Sequence, residues 1–225
     1  MNRTDHSSEQ QTLALQQELD LAMQHHTAGH LPEAENIYQQ ILQTDPDHPD
    51  ALHLLGVVSH QKGENDRAID LITKAIAIKP DYAEAHNNLG ITLKELGRVD
   101  EAVSHYRISI SIKPDFAEAH SNLGVALQKR GNLDEAIASY KMALTHKPDY
   151  AQVYSNLGGV YKELGQLDEA VTSCRKAIDI KPDYSEANYN LGAAYQDMGT
   201  LGEAVASYRK ALAIKPDYAE ASYNL

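Results

Sequence analysis

A period of 34 residues runs through the chain from about Leu15 to Leu225 and constrains its fold more than any other feature. Leucine recurs at this interval at Leu21, Leu55, Leu89, Leu123, Leu157, Leu191 and Leu225. Proline recurs at the same interval at Pro46, Pro80, Pro114, Pro148, Pro182 and Pro216. Such a period is typical of a solenoid, whose units bury their apolar faces only by stacking on one another. We therefore expect an elongated array rather than a domain around one central core.

Each period contains two amphipathic segments, which we call helix A and helix B. In residues 83–116, apolar side chains recur at helical spacing on both sides of Gly97, for example at Leu89 and Leu93 and then at Val99 and Val103. The proline near the end of each period stops helix B, because it lacks an N–H group. The predicted array has units 15–48, 49–82, 83–116, 117–150, 151–184 and 185–218 and a partial helix at 219–225, preceded by a polar, partly disordered segment at 1–14.

Two local patterns predict details of the helix pair. An aspartate follows each proline, as Asp81 does, with Glu84 three residues later, which is the spacing of a capping box at the start of helix A. Glycine recurs inside helix A, as at Gly90, and alanine recurs in helix B, as at Ala102. Because glycine weakens a helix, its recurrence predicts close approach of the two helices at this point.

Composition excludes several classes of function. The 32 acidic and 20 basic residues leave a net charge of −12, which argues against binding to nucleic acid. No apolar run approaches the roughly 20 residues that span a membrane, and the polar N-terminus does not resemble a secretory signal. One cysteine, Cys174, permits no intrachain disulfide, so we expect a cytoplasmic protein. No catalytic, phosphate-binding or metal-binding motif is present, so we expect no enzyme activity, cofactor or metal.

The positions that recur within the period resemble those of the tetratricopeptide repeat. Leucine and glycine stand at the seventh and eighth places, glycine at the fifteenth, alanine at the twentieth, an aromatic residue at the twenty-fourth and proline at the thirty-second. The resemblance covers about residues 15–225. It implies an all-α fold, an α-solenoid of stacked helix-turn-helix repeats in a right-handed superhelix, whose concave side is lined by A helices and holds a peptide or protein segment.

A candidate binding face also follows from helical geometry. The second, sixth, ninth and thirteenth places of helix A point away from the buried side of that helix. Asparagine fills the sixth place in five units, at Asn88, Asn122, Asn156, Asn190 and Asn224. These amides are suited to binding the backbone of an extended peptide, but they are equally suited to solvating an exposed helix. The predicted concave site also contains Glu84, Glu118, Lys94, Lys129, Lys162 and Tyr189.

Acidic residues outnumber basic ones on this stripe, so we expect a neutral or basic protein or peptide partner. The leading interpretation is a non-enzymatic scaffold for protein–protein interaction. An alternative is the substrate-recruiting arm of a larger transferase, because the asparagine ladder resembles that of O-linked N-acetylglucosamine transferases. A third is a passive spacer. Since Leu225 stands seven residues into a new helix A, we also expect end-to-end self-association through uncapped apolar surface.

Overall fold

The computed structural model describes the backbone of residues 3–225 and the side chains from Leu13 onward. All regular structure in this part of the chain is helical. The helices are α1 (Arg3–Thr27), α2 (Leu31–Thr44), α3 (Pro49–Gln61), α4 (Asn65–Ile78), α5 (Ala83–Glu95), α6 (Val99–Ile112), α7 (Ala117–Lys129), α8 (Leu133–His146), α9 (Ala151–Glu163), α10 (Leu167–Ile180), α11 (Ser185–Asp197), α12 (Leu201–Ile214) and α13 (Ala219–Tyr223). The predicted all-α repeat fold is confirmed. Residues 1 and 2 and the side chains of residues 1–12 lie outside the described part of the chain, so the predicted partial disorder of residues 1–14 stays a prediction.

The helices stack in antiparallel pairs within two compact units, Met1–Lys113 and Pro114–Leu225. In the first unit each odd-numbered helix A packs against the following helix B, and α2 and α4 then pack against α3 and α5. The second unit repeats this arrangement with α7 to α12 and adds the short α13 against α12. Among the helices described, none has both the length and the apolar character needed to cross a membrane.

A glycine with left-handed backbone geometry ends every helix A that is followed by a helix B. Gly97 has φ +77°, and the five equivalent glycines have φ between 72° and 81°. The N–H of Arg98 donates to the carbonyl oxygen of Leu93 over 2.9 Å, and that of Gly97 donates to Lys94. These bonds satisfy the last carbonyl groups of helix A in the manner of a Schellman motif. The glycine that separates the two segments of each period therefore ends helix A, as Gly97 does.

The predicted capping box at the start of helix A is wrong. The residue after the aspartate is the N-cap, as at Tyr82, Phe116, Tyr150, Tyr184 and Tyr218, and no side chain caps these five helices. Helix A therefore begins one residue later than predicted, so Glu84 stands at the second helical position. The ring of Tyr82 is half-buried against His53 of the preceding repeat, whereas Asp81 is exposed.

The glycine inside helix A makes room chiefly for a side chain of helix B. A Cβ atom on Gly90 would lie 2.6 Å from Cε1 of Tyr106, and one on Gly124 would lie 2.5 Å from Cε1 of Tyr140. Both tyrosines are fully buried. The predicted approach to the helix B alanine is a second contact, because a Cβ on Gly56 would lie 3.2 Å from the carbonyl oxygen of Ala68. In these two repeats the helix pair is therefore stabilised by a tyrosine ring of helix B that packs directly against the backbone of helix A at the glycine.

Candidate peptide-binding face

The A helices contact one another within each unit and thereby form a common face. Besides its partner in the pair, α3 contacts α5, and in the second unit α9 contacts both α7 and α11. We call the surface formed by the second, fifth, sixth, ninth, tenth and thirteenth places of these helices the A face of each unit. The side chains at the second, sixth, ninth and thirteenth places are half-buried or exposed in most repeats, as at Glu84, Asn88 and Ile91, which leaves them accessible to a ligand, whereas those at the fifth and tenth places are mostly buried.

Two cavities open on the A face of the first unit. One, of about 520 Å³, lies along α1 beside Asp20, Met23 and Thr27. The other, of about 330 Å³, lies between α3 and α5 and is lined mainly by apolar groups, including Val57 and Ile91. The predicted ladder residue Asn88 stands at the edge of this second cavity. An apolar depression beside a polar amide suits one side chain of a bound peptide.

The second unit has a matching cavity of about 380 Å³ between α11 and α13. The structure brings two predicted site residues together here, Tyr189 and Asn224, with Glu220 at the same wall. The ring of Tyr189 lies 5.1 Å from that of Tyr218 and 5.8 Å from that of Tyr208, measured between centroids. Because Tyr189 and Tyr223 line the cavity, its wall is aromatic rather than aliphatic.

The predicted asparagines are half-buried, and their amide groups hold neighbouring repeats together. The amide groups of three of them reach the fifth place of the preceding repeat, 35 residues earlier. Asn88 Nδ2 lies 2.8 Å from His53 Nε2, Asn190 Nδ2 donates to Ser155 Oγ over 3.1 Å, and Asn224 Nδ2 donates to the Tyr189 hydroxyl over 3.3 Å. The amide donors of these three residues are therefore engaged within the protein. The carbonyl oxygen of Asn88 also accepts a hydrogen bond from Asn87 Nδ2 over 3.4 Å, which leaves the carbonyl oxygens of Asn190 and Asn224 for a ligand.

In three repeats the tyrosine that precedes helix A also contacts this fifth place, and we call the resulting set of contacts the seam. In the first unit the Tyr82 hydroxyl lies 2.9 Å from His53 Nδ1, and the other ring nitrogen of His53 faces Asn88. Burial lowers the pKa of His53 to about 4, so the ring is neutral at pH 7. In the second unit Tyr184 contacts Ser155, which also accepts from Asn190. The seam joins three places of the period across two repeats.

Ion pairs reduce the negative charge of the A face. Lys113 Nζ lies 2.9 Å from Glu84 Oε1, Lys147 Nζ lies 3.3 Å from Glu118 Oε1, and Lys162 Nζ lies 4.0 Å from Asp197 Oδ2. Burial is the largest single influence on Glu84 and opposes its ionisation, but the hydrogen bond from Lys113, the hydrogen bond from its own backbone N–H group and the charge of Lys113 together lower the pKa of the carboxyl group. Predicted site residues Lys94 and Lys129 lie on α5 and α7, half-buried and exposed respectively.

The lysines of the Lys-Pro-Asp turns also contact the tyrosines that follow them. Lys79 lies 4.3 Å from the ring centroid of Tyr82, Lys147 lies 4.4 Å from that of Tyr150, and the pairs at Lys181 and Lys215 repeat the arrangement. Such cation–π contacts position the ring at the seam. Sequence reasoning missed the role of these tyrosines. The signal was present, because four of five such turns read Lys-Pro-Asp-Tyr.

The single cysteine and the histidines near the N-terminus make contacts within the protein. Cys174 is fully buried opposite Gly158, and burial raises the pKa of its thiol to about 12. In the first helix His26 Nε2 lies 3.0 Å from Gln61 Oε1, and His25 packs against His30. Among the described residues, no three histidine, cysteine or acidic side chains lie close enough together to hold a metal ion.

Comparison with known proteins identifies the repeat. A family model described as TPR repeat matches residues 92–131, 159–199 and 197–225, and two models described as tetratricopeptide repeat match residues 25–89 and 117–150. No curated protein matches significantly.

Three solved structures illustrate the similarity. The structure of MamA is 30% identical, with a TM-score of 0.67, and covers 74% of this chain and 97% of its own. PilW, described as a type IV pilus biogenesis factor, is 22% identical with a TM-score of 0.84 over 93% of this chain and 97% of its own. YrrB, described as a TPR protein with an unusual peptide-binding site, is 19% identical with a TM-score of 0.68 over 83% of this chain and 96% of its own. The family matches and the recurring helix pairs agree, and the chain belongs to the tetratricopeptide repeat family.

Proposed function

We propose that the protein is a non-enzymatic scaffold that binds an extended peptide or protein segment on the A face. The observation that carries this proposal is the presence of three cavities on that face, two in the first unit and one in the second. Two of them stand beside half-buried polar groups, Asn88 in the first unit and Asn224 in the second, which is the usual composition of a ligand site.

The chemistry of the face indicates how a peptide is held. The carbonyl oxygens of Asn190 and Asn224 accept hydrogen bonds from the backbone N–H groups of the peptide, which every residue except proline supplies. The cavity beside Val57 and Ile91 takes an apolar side chain. Binding in this mode depends little on peptide sequence except at the cavities. The fold supports the mode in that YrrB, which shares it, has a peptide-binding site.

Charge favours a neutral or basic segment. Glu95 and Glu163 are exposed at the thirteenth place of their repeats, and Glu220 lies at the cavity of the second unit. Although Lys113 and Lys147 neutralise two other glutamates, the face stays acidic. Like charges facing one another across an interface cost free energy, so an acidic peptide is disfavoured.

The test uses a peptide selected from a random library against the full chain. The affinity of this peptide for the variant Ile91→Glu and for the matched variant Ile108→Glu is then measured by fluorescence anisotropy. Ile91 lines the A-face cavity of the first unit, whereas Ile108 is 40% exposed on the B helix α6. We expect Ile91→Glu to weaken binding about tenfold or more and Ile108→Glu to leave it unchanged. Equal affinities in two folded variants, verified by circular dichroism, contradict the proposal.

A passive spacer predicts a different outcome, because no library member then binds saturably at micromolar concentration. A second candidate is the substrate-recruiting arm of a larger transferase, similar to that of the O-linked N-acetylglucosamine transferases. It stays a hypothesis about a longer protein, and its test is the activity of a chain that includes a catalytic domain.

A further inference from the structure

A cavity of about 430 Å³ lies in the second unit among α10, α11 and α12. It is reached from the side of α11 that carries Asn188, Leu191 and Tyr195, one face of the helix at spacings of three and four residues. The A face of the same helix is formed by Glu186, Asn190 and Asp197. The cavity is therefore separate from the proposed peptide-binding face and does not depend on it.

The repeat explains why the cavity exists. Asn188 and Ser207 lie three periods, or 102 residues, after His86 and His105. In the earlier repeat the two imidazole rings stack with centroids 5.3 Å apart and with their Nδ1 atoms 3.0 Å apart. Asparagine and serine cannot fill the volume of two rings. The cavity thus occupies the space that a pair of aromatic rings fills elsewhere in the array.

Its wall contains a buried polar group with unused capacity. Asn188 is 2% exposed, and its Nδ2 donates to the carbonyl oxygen of Tyr184 over 3.0 Å. Its Oδ1 accepts no hydrogen bond from any residue that the structure describes. Among the described residues, this oxygen is not one of the fully enclosed polar atoms that lack a partner, so it is open to the cavity and can accept a hydrogen bond from a donor there.

The rim is electrically balanced. Arg175 and Lys210 supply two positive charges, and Asp179 and Glu203 supply two negative ones. Arg175 Nη2 donates to the Tyr195 hydroxyl over 2.5 Å, which fixes that part of the wall. A balanced rim gives no preference to an ion, so an uncharged ligand is favoured over an anion or a cation.

We propose that this cavity binds a neutral, planar aromatic ring with a hydrogen-bond donor on its edge, the chemistry of a phenol or a neutral imidazole. The ring takes the place of the missing pair, lies against Leu191 and Tyr195, and donates to Asn188 Oδ1. Either a free small molecule or a side chain of another polypeptide can supply such a ring.

The test is a titration of the isotope-labelled full chain at pH 8, followed by NMR shifts of the Asn188 side-chain amide and the Ser207 backbone. The probes are p-cresol, imidazole, toluene as the ring without a donor, and N-acetyltyrosinamide as the ring attached to a peptide backbone. We expect saturable shifts for p-cresol and imidazole with Kd on the order of 1 mM, as is usual for ligands of this size. Toluene should bind at least fivefold more weakly. Binding of N-acetyltyrosinamide at similar strength assigns the site to a polypeptide side chain, and its failure beside p-cresol binding assigns it to a small molecule.

Two variants serve as controls. Asn188→His with Ser207→His restores the ring pair, and this variant should lose p-cresol binding at least tenfold. His86→Asn with His105→Ser opens the equivalent space in the first unit and should gain a p-cresol site there. If the second variant does not fold, the first decides alone. Absence of saturable shifts in the wild-type chain, or equal binding by the refilled variant, overturns the proposal.

Discussion

Single residues decide how closely the two helices of a repeat approach. Gly158 and Gly159 are neighbours in α9 and have opposite surroundings. A Cβ on Gly158 would collide with Cys174 Sγ and lie 3.2 Å from the carbonyl oxygen of Ala170, whereas a Cβ on Gly159 would meet nothing within 4 Å. The first glycine is required by packing, and the second is not.

This contrast gives a matched pair of substitutions. Gly158→Ala should lower the free energy of unfolding by about 1–3 kcal/mol, because the fully buried Cys174 has no space into which to move. Gly159→Ala should raise it by about 0.5–1 kcal/mol through higher helix propensity. Urea denaturation followed by circular dichroism measures both. Equal effects of the two substitutions would show that the predicted collision is absent in solution.

His53 makes stability depend on pH. It is 3% exposed, and burial lowers its pKa from 6.5 to about 4, with the Asp50 and Glu84 carboxylates opposing and Lys79 and His26 assisting the shift. Between these two pH values the unfolded chain binds the proton and the folded chain does not. Stability is therefore complete above pH 6.5 and falls as the pH falls, by about 1.4 kcal/mol for each pH unit at most.

The expected result is that lowering the pH from 6.5 to 5 destabilises the wild-type chain more than the variant His53→Asn, by about 1–2 kcal/mol. The exposed residue His30 supplies the control variant His30→Asn, which should retain the wild-type dependence. Urea denaturation at the two pH values gives the difference. A slope in His53→Asn equal to that of the wild-type chain would contradict the assignment.

At the scale of elements, neighbouring repeats meet through the seam. The tyrosine that precedes helix A points back to the fifth place of the previous helix A, and the asparagine one turn into helix A points to the same place. The fifth place is variable, with His53, Ser155 and Tyr189 as examples, yet each provides a polar atom. The asparagines therefore have a structural role in addition to any role in binding.

The seam predicts unequal effects of one substitution at two equivalent places. Tyr82→Phe removes the hydroxyl 2.9 Å from His53 Nδ1 and should lower the free energy of unfolding by about 1–2 kcal/mol. Tyr150→Phe should change it by less than about 0.5 kcal/mol, because its hydroxyl makes no hydrogen bond to any described residue. Thermal and urea unfolding of both variants measure the two effects. If Tyr82→Phe changes the free energy of unfolding as little as Tyr150→Phe does, the hydrogen bonds of the seam do not contribute to stability.

At the scale of the whole molecule, the last helices of the second unit expose large apolar side chains. Leu201 is 64% exposed, Tyr223 is 91% exposed and Leu225 is 50% exposed. Repeat arrays bury such surface against a further repeat or a polar cap. The end-to-end self-association expected from the sequence stays a proposal, and this surface is where the copies would meet.

Sedimentation velocity over a range of concentrations tests the association. Leu201→Glu should shift the equilibrium toward the monomer by at least tenfold, since it places a charge in the apolar contact. Met142→Glu, at a residue 44% exposed on α8, is the matched control and should behave like the wild-type chain. A wild-type chain that remains monomeric at millimolar concentration would exclude the proposal.

The sequence by itself determined the helix pairs, the glycine turns and the family, because these depend on periodic patterns along one segment of chain. Tertiary structure decided the seam, since Tyr82, His53 and Asn88 are joined across 29 and 35 residues and the middle partner changes from repeat to repeat. It also decided the cavity beside Asn188, whose volume depends on small residues meeting from two different helices. Periodicity reports which face of a helix is buried, whereas contacts between helices decide which polar atoms that face leaves free.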